Sequence, residues 1–267
     1  MLATVAVVLL LVGCGRTAGD GTASPAAAPG GSAGPATTSS PSTTPSAAAT
    51  TPITATASPP VTEPAEPPAD ASALPIAAPP QLDRAGDAGQ AVLVTADGYG
   101  STTATLTTWQ RTASGGWEQV DGPVAARLGR SGFAPPGEKR EGDGRTPSGT
   151  YGFDFAFGVQ PDPGVALPYR RVTGPSIVWD DDPSSSSYNL WVDGGRGEAM
   201  YVSPAYDYGA VIAYNAERTP SLGSAIFLHV STGGPTAGCV SLPGDRLLEV
   251  LRWLDPARAP VIVMGVP

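Results

Sequence analysis

The 267-residue chain contains 30 prolines and 34 glycines, and its 15 Lys and Arg against 24 Asp and Glu give a formal net charge of -9. This acidic balance, with no cluster of basic residues, excludes a nucleic-acid partner, because phosphate binding needs a basic surface. Much of the proline precedes residue 81, so the composition predicts one folded domain after a segment that cannot bury a core.

The chain opens with an apolar run over residues 1–14 that ends in Leu11-Val12-Gly13-Cys14. Such a run is too short to span a bilayer and is typical of a secretory signal peptide. Its end resembles the lipobox of bacterial lipoproteins, whose cysteine is acylated, although no basic residue precedes the run. We expect export and a lipid anchor at Cys14 on the outer face of the cell membrane; a plain signal peptide is the alternative.

Residues 15–84 form a low-complexity segment of Pro, Ala, Thr and Ser with no helical or strand periodicity. This composition predicts a disordered, semi-extended linker. A long tether suits a membrane-anchored domain that must reach a substrate away from the bilayer, and a passive spacer fits equally well.

Residues 85–267 alternate short β-rich runs with Gly, Pro and Asp turns, which predicts a mainly β domain, a sandwich or barrel of mixed strands. The predicted strands cover 91–95, 104–109, 176–179, 190–192, 210–214, 225–230 and 261–264. One C-terminal helix is predicted, capped by Asp245, with Leu247, Leu248, Leu251 and Leu254 on one face.

The rarest chemical groups are a single histidine, His229, and two cysteines, Cys14 and Cys239. A zinc site needs three or four protein ligands, so this inventory argues against a zinc peptidase, and we expect no metal or other cofactor. Side chains alternate between the faces of a strand, which directs His229, Cys239 and Ser241 away from the core. The residues predicted to point into the core are Ile226, Leu228, Val230, Val240 and Leu242.

Nine residues separate His229 from Cys239. Gly233, Gly234 and Pro235 lie among them and permit the chain to fold back, so that the strands carrying the two residues can lie side by side. Neighbouring strands at about 4.8 Å would bring imidazole and thiol within hydrogen-bond reach. A nearby imidazolium would then stabilise the thiolate, the attacking species. Gly238 lacks a Cβ and would let backbone N–H groups approach a tetrahedral oxyanion.

Simpler interpretations exist for both residues. A lone histidine on a strand is usually structural, and a lone cysteine is usually a small buried hydrophobe. A disulfide between Cys14 and Cys239 is possible in principle, although acylation of Cys14 would remove it. Histidine ten positions before cysteine matches neither papain-like nor caspase-type peptidases. The one Gly-x-Ser-x-Gly, residues 30–34, lies in the linker without the strand–turn–helix that a serine hydrolase requires.

Two motifs carry a resemblance to a known family. Phe227-Leu-His229, followed by Thr236-Ala-Gly-Cys-Val-Ser-Leu242, is similar to the His…(Ser/Thr)-x-Gly-Cys signature of the YkuD-type L,D-transpeptidase catalytic domain. Upstream, Gly142-Asp-Gly-Arg-Thr-Pro-Ser-Gly-Thr-Tyr151 resembles the Thr-Pro turn of that domain. Tyr188-Asn189 and Tyr214-Asn215 look like landmarks of one bacterial subgroup.

The resemblance implies a mechanism. Cys239 would attack the carbonyl of a diamino-acid–D-alanine bond in a peptidoglycan stem peptide, release D-alanine and form a thioester. An amine of a second stem would resolve the thioester and give a 3→3 crosslink. His229 would act as the base, and the Gly238 and Cys239 amides would form the oxyanion hole. In this family a backbone carbonyl or a small polar residue often orients the histidine, and Ser231 is the candidate here.

The resemblance also indicates where substrate would bind. Thr236 and Ser241 are the candidates beside the cysteine, although Ser241 stands where many members have Arg or Asn. Arg170 and Arg171 are candidates to bind stem carboxylates, with a solvated surface pair as the alternative. Two other functions stay open: an L,D-carboxypeptidase, in which water resolves the thioester, and an inactive wall-binding lipoprotein.

Overall fold

The computed structural model describes residues 76–267. The predicted signal peptide with Cys14, and the predicted linker as far as residue 75, lie outside the described residues. Within 76–267, no helix is both long enough and apolar enough to cross a bilayer.

The described region holds fourteen strands, one α-helix and two short 3₁₀ segments. The strands are β1 Gln90–Thr95, β2 Thr103–Arg111, β3 Trp117–Arg127, β4 Phe133–Ala134, β5 Thr146–Pro147, β6 Gly149–Gly158, β7 Tyr169–Arg171, β8 Ile177–Asp180, β9 Leu190–Asp193, β10 Glu198–Ala199, β11 Gly209–Ile212, β12 Phe227–Val230, β13 Val240–Leu242 and β14 Val261–Gly265. Helix α1 is Gly244–Trp253, and the 3₁₀ segments are Pro80–Ala85 and Pro256–Arg258.

Nine strands form one sheet in the order β11-β12-β13-β3-β2-β1-β14-β6-β7, and a further β11–β6 pairing closes it into a barrel. The β1–β14, β12–β13 and β6–β7 pairs are parallel and the remaining pairs of this sheet are antiparallel. A smaller sheet, β10-β8-β9, and the β4–β5 pair complete the architecture. The predicted mainly β, mixed-strand barrel with a C-terminal helix is confirmed.

Strands β11 and β12 are buried on both faces. Ala210, Ile212 and Leu228 join one apolar cluster with helix α1, whereas Val211 and Phe227 join a second, largely aromatic cluster. The ring centroid of Phe227 lies 5.1 Å from that of Trp179, in the edge-on geometry that aromatic pairs favour. The second face of β12 is therefore also a core, and the prediction that it stays outside the core is wrong.

Helix α1 begins two residues earlier than predicted: Pro243, not Asp245, is at the N-cap position, there is no side-chain cap, and Asp245 lies in the first turn. The residues that pack at i, i+3, i+4 and i+7 are Leu247, Val250, Leu251 and Leu254. Leu248 is only partly buried, because a 100° turn per residue rotates it away from this stripe.

The folded region begins before residue 85. The 3₁₀ segment Pro80–Ala85 buries Leu82 and Ala85 against Trp109 and Val263. The predicted linker end at residue 84 is therefore wrong, since the one large apolar side chain in this short segment is enough to attach it to the barrel.

Candidate active site

Strands β12 and β13 lie side by side and parallel, with His229 opposite Ser241 and Leu228 opposite Val240. Parallel neighbours cannot be joined by a tight hairpin, so the chain after Val230 crosses back before it enters β13. Midway, Thr236 forms a parallel bridge with Gly129, which follows β3. The Gly-Gly-Pro segment is thus a crossover loop held by another part of the barrel.

His229 and Cys239 line the same cavity of about 350 Å³. The fractional exposure is 7% for His229 and 6% for Cys239. The structure therefore brings the two predicted reactive residues to one site, where both side chains are largely removed from water.

The Cys239 thiol forms hydrogen bonds with the backbone of β12 and of the residues that precede this strand. Sγ donates to the Ala225 carbonyl oxygen at 3.3 Å and accepts from the Phe227 amide at 3.3 Å. Among the described residues these are its partners, and the imidazole of His229 is not one of them. The predicted direct bond between thiol and imidazole is therefore wrong for this state, because the register places Cys239 level with Phe227 rather than with His229.

Ala225, whose carbonyl oxygen accepts the hydrogen bond from the thiol, is held in an unusual conformation. Its φ of 52° lies in the left-handed region, which costs an L-residue roughly 1–2 kcal/mol. The Asn189 side chain stabilises it by accepting from the Ala225 amide at 3.2 Å and from Trp179 Nε1 at 2.8 Å. Asn189 therefore helps to fix the carbonyl on which the thiol rests.

Burial raises the pKa of the Cys239 thiol to about 12, since a thiolate would lose its hydration there. The Phe227 amide acts in the opposite direction by favouring the thiolate, and the negative charge of Glu198 adds to the increase. Cys239 is thus a protonated thiol at neutral pH.

His229 is oriented by its own strand. Its Nδ1 lies 2.9 Å from the Val230 carbonyl oxygen. A carbonyl only accepts, so Nδ1 carries the proton, and Nε2 is the ring nitrogen that keeps its lone pair in the neutral imidazole. Ser231, the residue predicted to orient His229, instead accepts from the Gly233 amide at 3.1 Å. That prediction is wrong, because a backbone carbonyl occupies the role.

Burial lowers the pKa of His229 below its ordinary value of 6.5, and the carbonyl oxygens of Val230 and Ala205 only partly oppose this effect. The imidazole is therefore neutral at physiological pH. The prediction that a His229 imidazolium stabilises a Cys239 thiolate is therefore wrong for this state. The low polarity of the site disfavours the charged form of both side chains.

The loop before Cys239 is braced by two threonine hydroxyls. Thr236 Oγ1 donates to the Cys239 carbonyl oxygen at 2.7 Å and accepts from the Gly238 amide at 3.1 Å. Thr146, from the Thr-Pro motif, donates to the same carbonyl at 3.4 Å and accepts from Gly129. Thr236 lines the cavity, but its hydroxyl donates its hydrogen bond to the Cys239 carbonyl within the loop and is not available to donate to a substrate.

Gly238 is required for close packing. A Cβ there would lie 3.0 Å from the Arg145 carbonyl oxygen and 3.3 Å from Ile226 Cδ1. Its N–H is committed to Thr236, contrary to the predicted oxyanion role. Gly238 therefore positions Cys239, and the Cys239 amide is left as the candidate oxyanion donor of the pair.

Residues 101–263, well over half of the chain, match the family model YkuD, described as the L,D-transpeptidase catalytic domain. The chain belongs to this family. Comparisons with curated proteins and with solved structures give no significant match. The chain is therefore an L,D-transpeptidase-type enzyme, and the substrates of its family are peptidoglycan stem peptides.

Ser241 occupies a distinctive place in this YkuD domain. It is 1% exposed and lines the cavity. Among the described residues, its hydroxyl has no hydrogen-bond partner. Ser241, a predicted site residue, thus lines the candidate site, with a hydroxyl that no other residue of 76–267 satisfies.

Several charged or phenolic cavity residues of the YkuD domain escaped sequence analysis. The chain's single lysine, Lys139, is 5% exposed and bonds Asp143 Oδ1 at 2.8 Å. Glu198 accepts from the Tyr206 hydroxyl at 2.8 Å, and the Tyr206 ring packs edge-on to His229 with centroids 5.3 Å apart. The rarity of lysine was the one available signal, since Lys139, Glu198 and Tyr206 lie far from His229 and Cys239 in the sequence.

Arg170 and Arg171 do not reach the cysteine cavity. Arg170 stacks over the Phe155 ring at 3.9 Å beside a separate cavity of about 300 Å³, and Arg171 Nε donates to the Val159 carbonyl at 2.9 Å. Neither arginine lines the cavity that holds Cys239 and His229, and their role in binding stem carboxylates stays a prediction.

Proposed function

We propose that this chain is a peptidoglycan L,D-transpeptidase that forms 3→3 crosslinks through a thioester on Cys239. The observation that carries the proposal is the shared cavity of Cys239 and His229 in a YkuD domain. Cys239 is also the one cysteine within residues 76–267, and it is not in a disulfide.

The chemistry starts from two neutral groups. The thiol leaves the Ala225 carbonyl by rotation about its Cα–Cβ bond, and the unprotonated Nε2 of His229 takes its proton as sulfur attacks the substrate carbonyl. The carbon–nitrogen bond to D-alanine breaks, and the imidazolium returns the proton to the leaving amine. An amine of a second stem then attacks the thioester and restores the thiol.

Charges of both signs around the cavity support a zwitterionic peptide substrate. Arg130 lines it as an exposed cation, and Glu141, Asp181 and Glu198 line it as acids. Burial and the neighbouring Glu141 raise the pKa of Asp181, which indicates that the Glu141 and Asp181 carboxylates repel each other. A substrate ammonium would relieve this repulsion, and Arg130 would favour a stem carboxylate.

We place the reaction outside the cell membrane, with a lipid anchor at Cys14. The support is the apolar run that ends at this cysteine and the Pro-rich composition of the residues that follow. About 65 residues of polyproline-like chain at 3.1 Å each would extend on the order of 200 Å.

The test is covalent trapping of Cys239. The full chain is incubated with a tetrapeptide stem or a carbapenem and analysed by intact-mass spectrometry. We expect an acyl adduct on the wild type and none on Cys239→Ala or Cys239→Ser, with folding retained. Cys14→Ser is the matched control, since it removes a thiol outside the YkuD domain and should keep the adduct. Equal adducts on wild type and Cys239→Ala would refute the nucleophile assignment.

Muropeptide analysis then defines the reaction. Purified enzyme is incubated with donor and acceptor stems, and the products are separated by chromatography and mass. A 3→3 dimer supports transpeptidation, whereas a tripeptide product without dimer identifies an L,D-carboxypeptidase. Adduct formation without either product would overturn both.

A further inference from the structure

Three polar side chains on one face of β12 and β13 form a triangle. His229 lies opposite Ser241 across the strands. Cys239 precedes Ser241 by two residues and so projects to the same side, and all three side chains line the cavity. Ser241 therefore neighbours both reactive residues, whereas Cys239 and His229 are related only diagonally.

The Ser241 hydroxyl is 1% exposed and unpartnered among residues 76–267. Leaving a buried hydroxyl unsatisfied costs about 1–3 kcal/mol. Native proteins satisfy most such groups with protein or ordered water, and a remaining exception calls for a catalytic role or a bound water. An alanine at this position would avoid the cost entirely.

We propose that Ser241 is a positioning residue whose hydroxyl holds a water molecule between the Cys239 thiol and Nε2 of His229. The bridging water would connect Cys239 to His229, which are not hydrogen-bonded to each other in this structure. The thiol proton passes to the water oxygen while the water passes one of its own protons to Nε2. Water is regenerated, and sulfur keeps the electron pair that forms the new bond to the substrate carbonyl.

This inference rests on the proposed thioester chemistry, and it is tested with Ser241→Ala in the full-length protein. The matched control is Ser148→Ala, because Ser148 is also a buried serine with an unpartnered hydroxyl but does not line this cavity. Removing either hydroxyl should leave the melting temperature unchanged or higher. We expect the rate of acylation by a carbapenem to fall at least about tenfold in Ser241→Ala and to stay at the wild-type value in Ser148→Ala.

A second measurement separates positioning from packing and does not depend on turnover. His229 is the chain's single histidine, so its ring signal can be titrated by NMR without assignment. We expect the pKa of His229 to fall further in Ser241→Ala, because the ring loses a hydrated neighbour, and to be unmoved in Ser148→Ala. Alkylation of Cys239 by iodoacetamide at neutral pH should slow in the first variant alone.

The outcomes are distinct. If wild type is not acylated, the proposed function fails, yet the titration and the alkylation rate still decide the role of Ser241. If Ser241→Ala is acylated at the wild-type rate and its His229 pKa is unchanged, the proposed water bridge is overturned. Slower acylation with an unmoved pKa would overturn it as well, since that pattern reports packing alone.

Discussion

At the residue scale, burial rather than mutual charge sets the protonation states of Cys239 and His229, the proposed reactive pair. Removal from water raises the pKa of the Cys239 thiol to about 12 and lowers that of the His229 imidazole. Each group is therefore neutral at rest. A resting thiol with little thiolate is protected from oxidation, and its activation is confined to the moment when a substrate carbonyl is in place.

The lowered pKa of His229 predicts the pH dependence of acylation. The base must be unprotonated, so activity should be retained as pH falls to 6.5 and should be lost only below that ordinary value. Rate constants for carbapenem acylation, measured by mass spectrometry across the pH range, check this prediction. An acid limb centred above 6.5 would contradict it.

His229→Ala should reduce the acylation rate at neutral pH by about 10²–10⁴-fold, the usual contribution of a general base. High pH should restore part of the rate, because hydroxide then ionises the thiol as the solution approaches its raised pKa of about 12. Cys239→Ala is the control that should stay inactive at every pH. A near-wild-type, pH-independent rate in His229→Ala would remove the histidine from the mechanism.

At the element scale, helix α1 supports the sheet that carries the site. Its residues Leu247, Val250 and Leu251 pack in the same cluster as Leu228 of β12 and Leu242 of β13. The strands that hold His229 and Cys239 are thus fixed from behind by the helix.

Leu251→Ala should lower the free energy of unfolding by about 2–5 kcal/mol, because Leu251 is fully buried and the cavity left behind cannot close. Leu248→Ala is the matched control: the same change one turn earlier, at a partly exposed position, should cost clearly less. Urea unfolding followed by circular dichroism measures both. Equal losses would contradict the burial of Leu251, rather than Leu248, on the inner face of the helix.

The predicted strands were those with continuous apolar runs, such as β1 and β14. Two long strands were missed. Strand β3, Trp117–Arg127, carries exposed polar residues and Pro123, while β6, Gly149–Gly158, mixes aromatic residues with Asp154 and glycine. The local hydrophobic pattern does not predict these two strands, because they are stabilised by pairing with neighbouring strands of the barrel rather than by the burial of one face.

At the scale of the whole molecule, closure of the sheet by the β11–β6 pair leaves the cavity between the barrel and the small β8–β10 sheet region. Segments far apart in sequence meet there: Lys139, Glu198, His229 and Cys239. Global unfolding therefore exposes the buried histidine to water.

This exposure makes stability depend on pH. The unfolded chain protonates His229 near 6.5, whereas the folded chain resists protonation, so stability is full above 6.5 and falls as pH drops below it. The loss is about 1.4 kcal/mol for each unit by which the pKa is lowered. His229→Gln should flatten this part of the profile, measured as unfolding free energy between about pH 7 and 5. Asp121 and Asp143, whose pKa is lowered from 3.8, titrate below this window.

Local patterns in the sequence determined the β class of the domain, the C-terminal helix and the choice of Cys239 and His229 as the candidate reactive residues, because periodicity and residue scarcity are properties of short segments. Tertiary structure alone decided the parallel pairing of β12 and β13, the neutral state of Cys239 and His229, and the isolation of the Ser241 hydroxyl. Protonation and hydrogen bonding depend on local polarity and on partners such as the Ala225 carbonyl and Glu198. Those partners reach the site only when distant strands close the barrel.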